Sequence, residues 1–246
     1  MPSNLNRSVI KNLDLFRSLA DADLDAILET AQVSRLMTGD AAFRQGSIAD
    51  RFFVLLHGHM KVMQTTAEGE QVTVRYVSPG EVFGMARAMR RPDYPASTIA
   101  VQESIALSWP SSVWDQFTAK NPKFASNAMQ TVGQRLQDAH ARIQELSTEE
   151  VEQRVARAIL RLVDQSGERT PEGIVINFPI TRQDIAEITG TTLHTVSRLL
   201  SAWKDRGLVT SGRKRIVVCA VDDLIRLAEG THSTAARVPR AKAESD

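Results

Sequence analysis

The sequence predicts an α+β protein in three consecutive parts: a β-rich N-terminal domain, one long helix, and a small domain carrying a helix–turn–helix with a wing. Three observations predict it. Short β-type runs punctuated by glycines fill residues 31–109. From Asn121 onward an apolar seam recurs at alternating steps of three and four. Residues 180–209 read ITRQDIAEITGTTLHTVSRLLSAWKDRGLV: a helix, a tight turn at Gly190-Thr191, then a second helix with short polar side chains on its first turn.

The opening, 13–30, carries the apolar series Leu15, Leu19, Leu24, Ile27 and Leu28 and is expected to be helical, with Asp21 or Asp23 as N-cap of its second half. The β-type runs that follow are Ala41-Ala42-Phe43, Phe52-Phe53-Val54-Leu55-Leu56, Met60-Lys61-Val62-Met63, Val72-Thr73-Val74-Arg75-Tyr76-Val77 and Ile99-Ala100-Val101. Gly39, Gly46, Gly58, Gly69, Gly80 and Gly84 separate them. Many short strands with regular turn signals indicate a β-roll or barrel. With its leading helices, this domain is expected to span 1–120.

Over 121–146 the positions Met129, Val132, Leu136, Ala139, Ile143 and Leu146 form a heptad seam, with Gln130, Gln134, Arg135, Gln137, Asp138 and Arg142 between them. A helix with one narrow apolar stripe is expected to bury it against the twin helix of a second copy, making a homodimer, rather than against its own domain. Residues 145–150 read as a hinge, with Ser147 or Thr148 capping the next helix, 150–164.

The C-terminal domain is expected over 147–230. It holds that helix, a loop at 167–173, a strand at 174–176, the helix–turn–helix, and the basic hairpin Ser211-Gly212-Arg213-Lys214-Arg215 running into Ile216-Val217-Val218. A winged helix–turn–helix is shaped to lay its second helix in the major groove of DNA. The stretch 231–246 is Ala-, Arg- and Ser-rich without periodicity and is expected to be disordered.

Composition narrows the classes. The 246 residues are 42% hydrophobic and 24% charged, as in an ordinary globular protein, with room for two modest domains. No run reaches the roughly 18 apolar residues of a membrane span. The N-terminus lacks the basic start and apolar core of a signal peptide, so the cytoplasm is the expected compartment and no membrane partner is expected. A net charge of +1 hides an asymmetry. Between Thr181 and Ala220 stand Arg182, Arg198, Lys204, Arg206, Arg213, Lys214 and Arg215, against Asp184, Glu187 and Asp205. That excess is the footprint of a phosphate-contacting module, and double-stranded DNA is the expected partner. The single cysteine, Cys219, excludes an internal disulfide, a four-cysteine zinc ribbon and a four-cysteine iron–sulfur cluster; it reads as a small buried hydrophobe. No nucleophile–base pair, metal-spaced cluster or phosphate loop suggests an enzyme.

A β-roll, a long helix and a winged helix in this order resemble the cyclic-AMP receptor/fumarate–nitrate regulator (Crp/Fnr) family of bacterial transcription factors over nearly the whole chain. The segments that carry the resemblance are Ile180-Thr181-Arg182-Gln183-Asp184-Ile185-Ala186, Thr195-Val196-Ser197-Arg198-Leu199-Leu200 and Pro79-Gly80-Glu81-Val82-Phe83-Gly84. The resemblance implies a cyclic-nucleotide-binding-like N-terminal domain and a homodimer with RNA polymerase as protein partner. It places base reading at Leu193, His194, Ser197 and Arg198, with Arg198 bridging guanine O6 and N7 and Ser197 touching a neighbouring thymine. It places phosphate contacts at Thr181, Arg182 and Gln183, hydroxyls for the second helix at Thr192 and Thr195, and further phosphate contacts at Arg213 and Lys214. His194 departs from the family's usual glutamate. Arg198 and Ser197 imply a TTG element repeated as CAA in a palindrome.

Cyclic-nucleotide binders of the family hold ribose and phosphate with a Gly-Glu-Leu segment and an Arg-Ser pair. Here those places read Gly84-Met85-Ala86 and Pro95-Ala96, so a buried phosphate would be unpaired and costly, and cyclic AMP is not the expected effector. The N-terminal cysteine cluster of the oxygen-sensing branch is absent. Heme, another small ligand, a modification or no effector remain open. The segments Val54-Leu55-Leu56-His57-Gly58-His59-Met60-Lys61-Val62, Tyr94-Pro95-Ala96 and Thr191-Thr192-Leu193-His194-Thr195-Val196-Ser197-Arg198 are most similar to the nitrite/nitric-oxide reductase regulators, which control denitrification genes and include members thought to sense nitric oxide through heme. An effector pocket is expected near Met85, Tyr94 and His140, with His140 beside the seam; no metal ligand is assigned. His57 and His59, two apart on a strand, are expected to share a solvated face with Lys61. The rival reading is a β-roll regulatory subunit without DNA function; a DNA binder controlled by protein level or redox state, without an effector, is a variant of the first.

Overall fold

The computed structural model describes residues 10–231; the tail expected beyond Thr231 lies outside the described residues. After a 3-10 turn at Asp14–Phe16 comes helix α1 (Asp21–Glu29). The expected helical opening falls into two pieces, with Ser18 between them at a left-handed φ of 62°. Asp21 opens α1 instead of capping it, and the N-cap, Ala20, offers no side-chain bond.

Eight strands follow: β1 (Gln32–Leu36), β2 (Ala41–Phe43), β3 (Arg51–His57), β4 (Met60–Thr65), β5 (Gln71–Val77), β6 (Val82–Phe83), β7 (Ser97–Ala100) and β8 (Ser104–Pro110). They form two antiparallel four-stranded sheets, ordered β1-β8-β3-β6 and β2-β7-β4-β5. The continuous apolar run of β3 has a simple cause. Alternate side chains face opposite sides. Phe53 and Leu55 join Met60, Val77, Phe83 and Ala100 between the sheets, while Phe52 and Val54 join Leu107, Trp109, Phe16, Leu24 and Ile27 under the helices. Trp109 is fully buried, and its indole N–H donates to Ile27 O at 2.8 Å, tying the central strand β8 to the end of α1.

Helix α2 (Trp114–Lys120) leads into α3 (Pro122–Thr148), which is 27 residues and therefore about 40 Å long. Two stripes of α3 behave differently. Ala128 is buried, and seven and fourteen residues on, Arg135 donates to Val82 O while Arg142 donates to Val74 O and Ile188 O. This stripe faces the chain's own domains. The neighbouring stripe does not: Met129 is 71% exposed, Leu136 57% and Ile143 62%. Ala139 is exposed too, while Val132 is half-buried against the helical layer of the β-roll. Leu146, 47% exposed, ends near the helix–turn–helix, its Cδ2 lying 3.1 Å from where a Cβ on Gly190 would stand.

The junction corrects the expected cap of the next helix. The Ser147 and Thr148 hydroxyls donate back to Ile143 O and Gln144 O inside α3. Helix α4 (Val151–Ser166) is capped instead by Glu150 in a box with Gln153. Glu145 is buried and meets Arg161 at 2.5 Å.

The C-terminal domain continues with β9 (Gly167–Thr170), β10 (Gly173–Ile176), α5 (Arg182–Thr189), α6 (Leu193–Asp205), β11 (Val209–Ser211), β12 (Ile216–Val218) and α7 (Val221–Ala228). What reads as a loop at 167–173 is half strand: β9 pairs with β10 in a sheet ordered β11-β12-β10-β9. The turn glycine Gly173 sits at φ 139°, where a Cβ would lie 2.2 Å from Val218 O. Its core gathers Val155, Ile159, Ile185, Val196, Leu200, Trp203 and Leu224. Cys219 corrects another expectation: it follows the buried strand Ile216–Val218 but is itself exposed.

Candidate nucleic-acid interface

The interface begins with two helix caps. Thr181 caps α5: its hydroxyl accepts from Asp184 N at 3.1 Å, and the Asp184 carboxylate accepts from Thr181 N at 2.9 Å. Gly190 ends α5 in the left-handed region at φ 62°, where glycine meets no Cβ penalty. Thr192 caps α6, accepting from Thr195 N at 3.1 Å, with the two threonine hydroxyls 2.9 Å apart. Both threonines at the start of the second helix are thus engaged locally, and each hydroxyl keeps capacity for at least one further partner.

α6 is anchored from behind. Val196, Leu200 and Trp203 are completely buried, and the Trp203 indole N–H donates to Glu152 at 2.8 Å. The rest of its first turns is open: Leu193, His194 and Arg198 are exposed and Ser197 is half-buried. The wing is closed by Gly212 N donating to Arg215 O at 2.8 Å, with Arg213 and Lys214 exposed at its tip. Arg182, at the start of α5, ties that helix to the wing by donating to Ser211 Oγ at 3.1 Å. Arg215 is drawn instead to Glu172 at 3.3 Å.

Thr181, Arg182, Gln183, Leu193, Gly212 and Arg213 enclose an open cleft of about 390 Å³ between the start of α5, the start of α6 and the wing. It is lined by two guanidinium groups and no carboxylate. The structure therefore brings Thr181, Arg182, Gln183 and Arg213 to one cleft, and sets Thr192, His194, Thr195, Ser197 and Arg198 along the adjoining helix.

Asp184, whose carboxylate caps Thr181 with one oxygen, turns the other to the β-roll, where Lys61 meets it at 2.9 Å with both side chains largely buried. Burial alone would raise its carboxyl, but hydrogen bonds from Thr181 and Lys61 overcome this and hold it below the usual carboxylate range. Around this pair a seam joins the domains. Thr73 donates to Glu187 at 2.5 Å, Tyr76 packs on Phe178 at 4.7 Å, and His59 stacks on the same ring at 4.4 Å.

This seam escapes a sequence reading and overturns one expectation. Gly58 turns the chain between β3 and β4 with φ 85°, so His57 and His59 do not share a strand face. His57 is exposed; His59 is 5% exposed, with Gln102 3.2 Å from Nδ1 and no partner at Nε2. Burial, with a smaller contribution from His57, lowers its pKa to about 4. Lys61 is likewise spent on Asp184 and is not a solvated neighbour. Lys61 and Asp184 stand 123 positions apart, and no local pattern links them.

The three residues expected at an effector pocket do not converge. Met85 is buried with the helical layer of the β-roll, and Tyr94 belongs to a separate cluster with Ala49 and Ala86. His140 is exposed on α3. The Tyr94 ring stacks on Phe43 at 3.8 Å, and its hydroxyl donates to Arg51 O at 2.6 Å. Burial pushes this phenol up to about 12, a group held neutral. Gly84, at the start of the segment where a phosphate cradle would lie, fits closely under aromatic rings: a Cβ there would stand 3.0 Å from Phe43 and Phe53. Among the described residues no helix is long and apolar enough to cross a membrane, and no three His, Cys, Asp or Glu could hold a metal ion together.

Comparison with known proteins agrees with this architecture. The family model for the cyclic nucleotide-binding domain matches residues 33–121, and that for the Crp-like helix-turn-helix domain matches 153–227. The cyclic AMP receptor protein of Thermus thermophilus is 29% identical over 203 residues, covering 82% of this chain and 91% of its own. The global nitrogen regulator of Synechococcus elongatus is 27% identical over 208 residues, covering 84% and 91%. The structure of FixK2 from Bradyrhizobium japonicum, at 20% identity, superposes with a TM-score of 0.71 over 80% of this chain and 96% of its own, which establishes the fold. Both halves and their order are those of one family: the chain belongs to the Crp/Fnr family of DNA-binding transcription regulators, with a cyclic-nucleotide-binding-like N-terminal domain.

Proposed function

We propose that the protein is a homodimer that reads a palindrome of TTG and CAA arms, in the cytoplasm, and acts on transcription through RNA polymerase. One observation carries the reading: α6 is fixed by a fully buried face while Leu193, His194, Ser197 and Arg198 stand free beside a cleft holding Arg182 and Arg213. Phosphate contacts from Thr181, Arg182, Gln183, Arg213 and Lys214 supply salt-dependent affinity and register. Arg198, exposed on the first turns of α6, reads guanine, Ser197 a thymine beside it, and His194 the next pair. Thr192 and Thr195 add their remaining hydroxyl capacity at the backbone. Two such helices meet major-groove half-sites about one turn apart when α3 pairs with its twin along Met129, Val132, Leu136, Ala139, Ile143 and Leu146. The exposure of most of that stripe, beside an arginine stripe that already satisfies the helix's contacts with its own chain, supports the pairing.

The reading for the signal is narrower. Cyclic AMP does not suit a segment in which Gly84 packs under Phe43 and Phe53, and in which Met85 and Pro95-Ala96 stand where the family's cyclic-nucleotide binders carry their charged contacts. A heme needs an imidazole over open space. His59 lies flat on Phe178 and offers no open face, and no heme ligand is assigned to the exposed His57 or His140. Control of nitrogen-oxide genes is proposed on the likeness of the His57–Lys61 region and the start of α6 to the nitrite/nitric-oxide reductase regulators. Selection of duplexes from a random pool tests the core of the proposal: enrichment of TTG and CAA arms in inverted repeat supports it, and an unenriched pool refutes it.

A further inference from the structure

Two carboxylates on α5 face both ways. Asp184 gives one oxygen to the Lys61 ammonium on β4 at 2.9 Å; the other accepts from the Thr181 backbone N–H at 2.9 Å and from its hydroxyl at 2.5 Å. Glu187, about one turn later, accepts from the Thr73 hydroxyl on β5 at 2.5 Å with one oxygen and from the Gln183 amide at 3.2 Å with the other. Thr181 and Gln183 line the cleft beside α6, with Arg182 between them. Lys61 and Thr73 belong to the β-roll. Holding two domains together does not require this arrangement. Tyr76 and His59 already pack on Phe178, and carboxylates taken out of water cost desolvation that apolar contacts avoid. What the carboxylates add is direction: a hydrogen bond constrains distance and angle, so each fixes a cleft residue against a strand of the other domain.

We infer that Lys61 and Thr73 are positioning residues for DNA binding, which hold the first turn of α5 in place for its phosphates through Asp184 and Glu187. The inference rests on the phosphate contacts proposed above for Thr181, Arg182 and Gln183, and adds the part of the β-roll that sets them. Neither residue serves DNA itself: Thr73 is completely buried, and the Lys61 ammonium is spent on Asp184. The β-roll thus reaches the DNA interface across α5, in addition to the bend between α3 and α4. A shift of β4 or β5 alters affinity with no change at the long helix. Phosphate contacts carry no sequence information, so the effect falls on all duplexes alike. One hydrogen bond lost per half-site weakens binding about threefold, and two half-sites together about tenfold. One phosphate contact fewer in each half-site makes the salt slope shallower by about 2.

The test uses the full-length protein, the duplex it enriches from a random pool and a scrambled duplex, with affinities measured by fluorescence anisotropy over a salt series. Thr73→Val keeps the shape of the side chain and changes no charge, but removes the hydroxyl that Glu187 accepts from; Thr73→Ser keeps that hydroxyl. Lys61→Met and Lys61→Arg make the matching pair at Asp184. The inference expects Thr73→Val and Lys61→Met each to bind both duplexes about tenfold more weakly, with the shallower slope, while Thr73→Ser and Lys61→Arg stay within about twofold of wild type. A purely structural role would instead make Thr73→Ser, which loses a buried methyl, at least as damaging as Thr73→Val. Wild-type affinity and slope in Thr73→Val or Lys61→Met, or equal losses in the conservative variants, overturn the inference and leave the reading by α6 standing. An unenriched pool overturns both.

Discussion

Truncating the exposed stripe of α3 tests the proposed pairing quantitatively. Leu136 is 57% exposed in the single chain, so about half of its burial energy is still to be gained. Full burial of a leucine is worth about 1.5–3 kcal/mol, which leaves about 1–2 kcal/mol per copy for the partner helix to collect. A two-fold interface repeats each contact, so Leu136→Ala removes about 2–4 kcal/mol from the dimer. That weakens association roughly 30-fold to several hundred-fold. Because the stripe facing the chain's own domains runs through Ala128, Arg135 and Arg142 instead, the variant monomer should keep its secondary structure and melting behaviour. Sedimentation equilibrium over a concentration series reads the association constant, and circular dichroism reads the fold. Unchanged association, or a monomer destabilised by the same amount, would refute the assignment of this stripe to a twin helix.

Other consequences are equally specific. His59 is protonated more readily in the unfolded chain, at about 6.5, than in the native state, at about 4. Its contribution to stability is therefore full above the upper value, falls as pH drops through the window, and levels off below the lower one, by at most about 3 kcal/mol; denaturant midpoints across pH 4–7 should show this slope, and His59→Gln should flatten it. Lys61→Met leaves Asp184 buried against the β-roll without its cation, which should cost about 2 kcal/mol and increase amide exchange along β5 and α5; unchanged exchange would show that the seam does not hold the domains together. Thr181→Ala removes a cap and half of a capping box, so thermal unfolding should report a loss of about 1 kcal/mol even without DNA.

The winged helix–turn–helix is legible because its signals are local. Thr181, Gly190 and Thr192 each mark a helix end by chemistry within four residues of the group they satisfy, and the structure uses all three that way. Most of the strands announce themselves by β-branched and aromatic runs. β8 does not: Ser104–Pro110 is central and almost entirely buried, but Ser104 and Ser108 sit among its apolar residues because their hydroxyls meet backbone carbonyls and Arg51. β6 is only two residues long, and β1 is a mostly exposed edge. The helix α3 is visible from its seam, yet its equally regular Arg135 and Arg142 stripe reads as solvent-facing until the carbonyls it meets are known. The interdomain seam is hidden for the same reason. Lys61, Thr73 and His59 find partners more than forty positions away, and the turn at Gly58 breaks the strand periodicity that would have paired His57 with His59.

Base reading by the start of α6 is the central claim, and Arg198→Ala tests it most directly. Affinity of wild type and variant should be compared on the selected duplex and on a scrambled duplex, at several salt concentrations. The account predicts a loss of about 10- to 100-fold on the selected duplex, little change on the scrambled one, and a nearly unchanged salt slope, because Arg182, Arg213 and Lys214 still hold the phosphates. Equal affinity of the two proteins for the selected duplex would contradict the account.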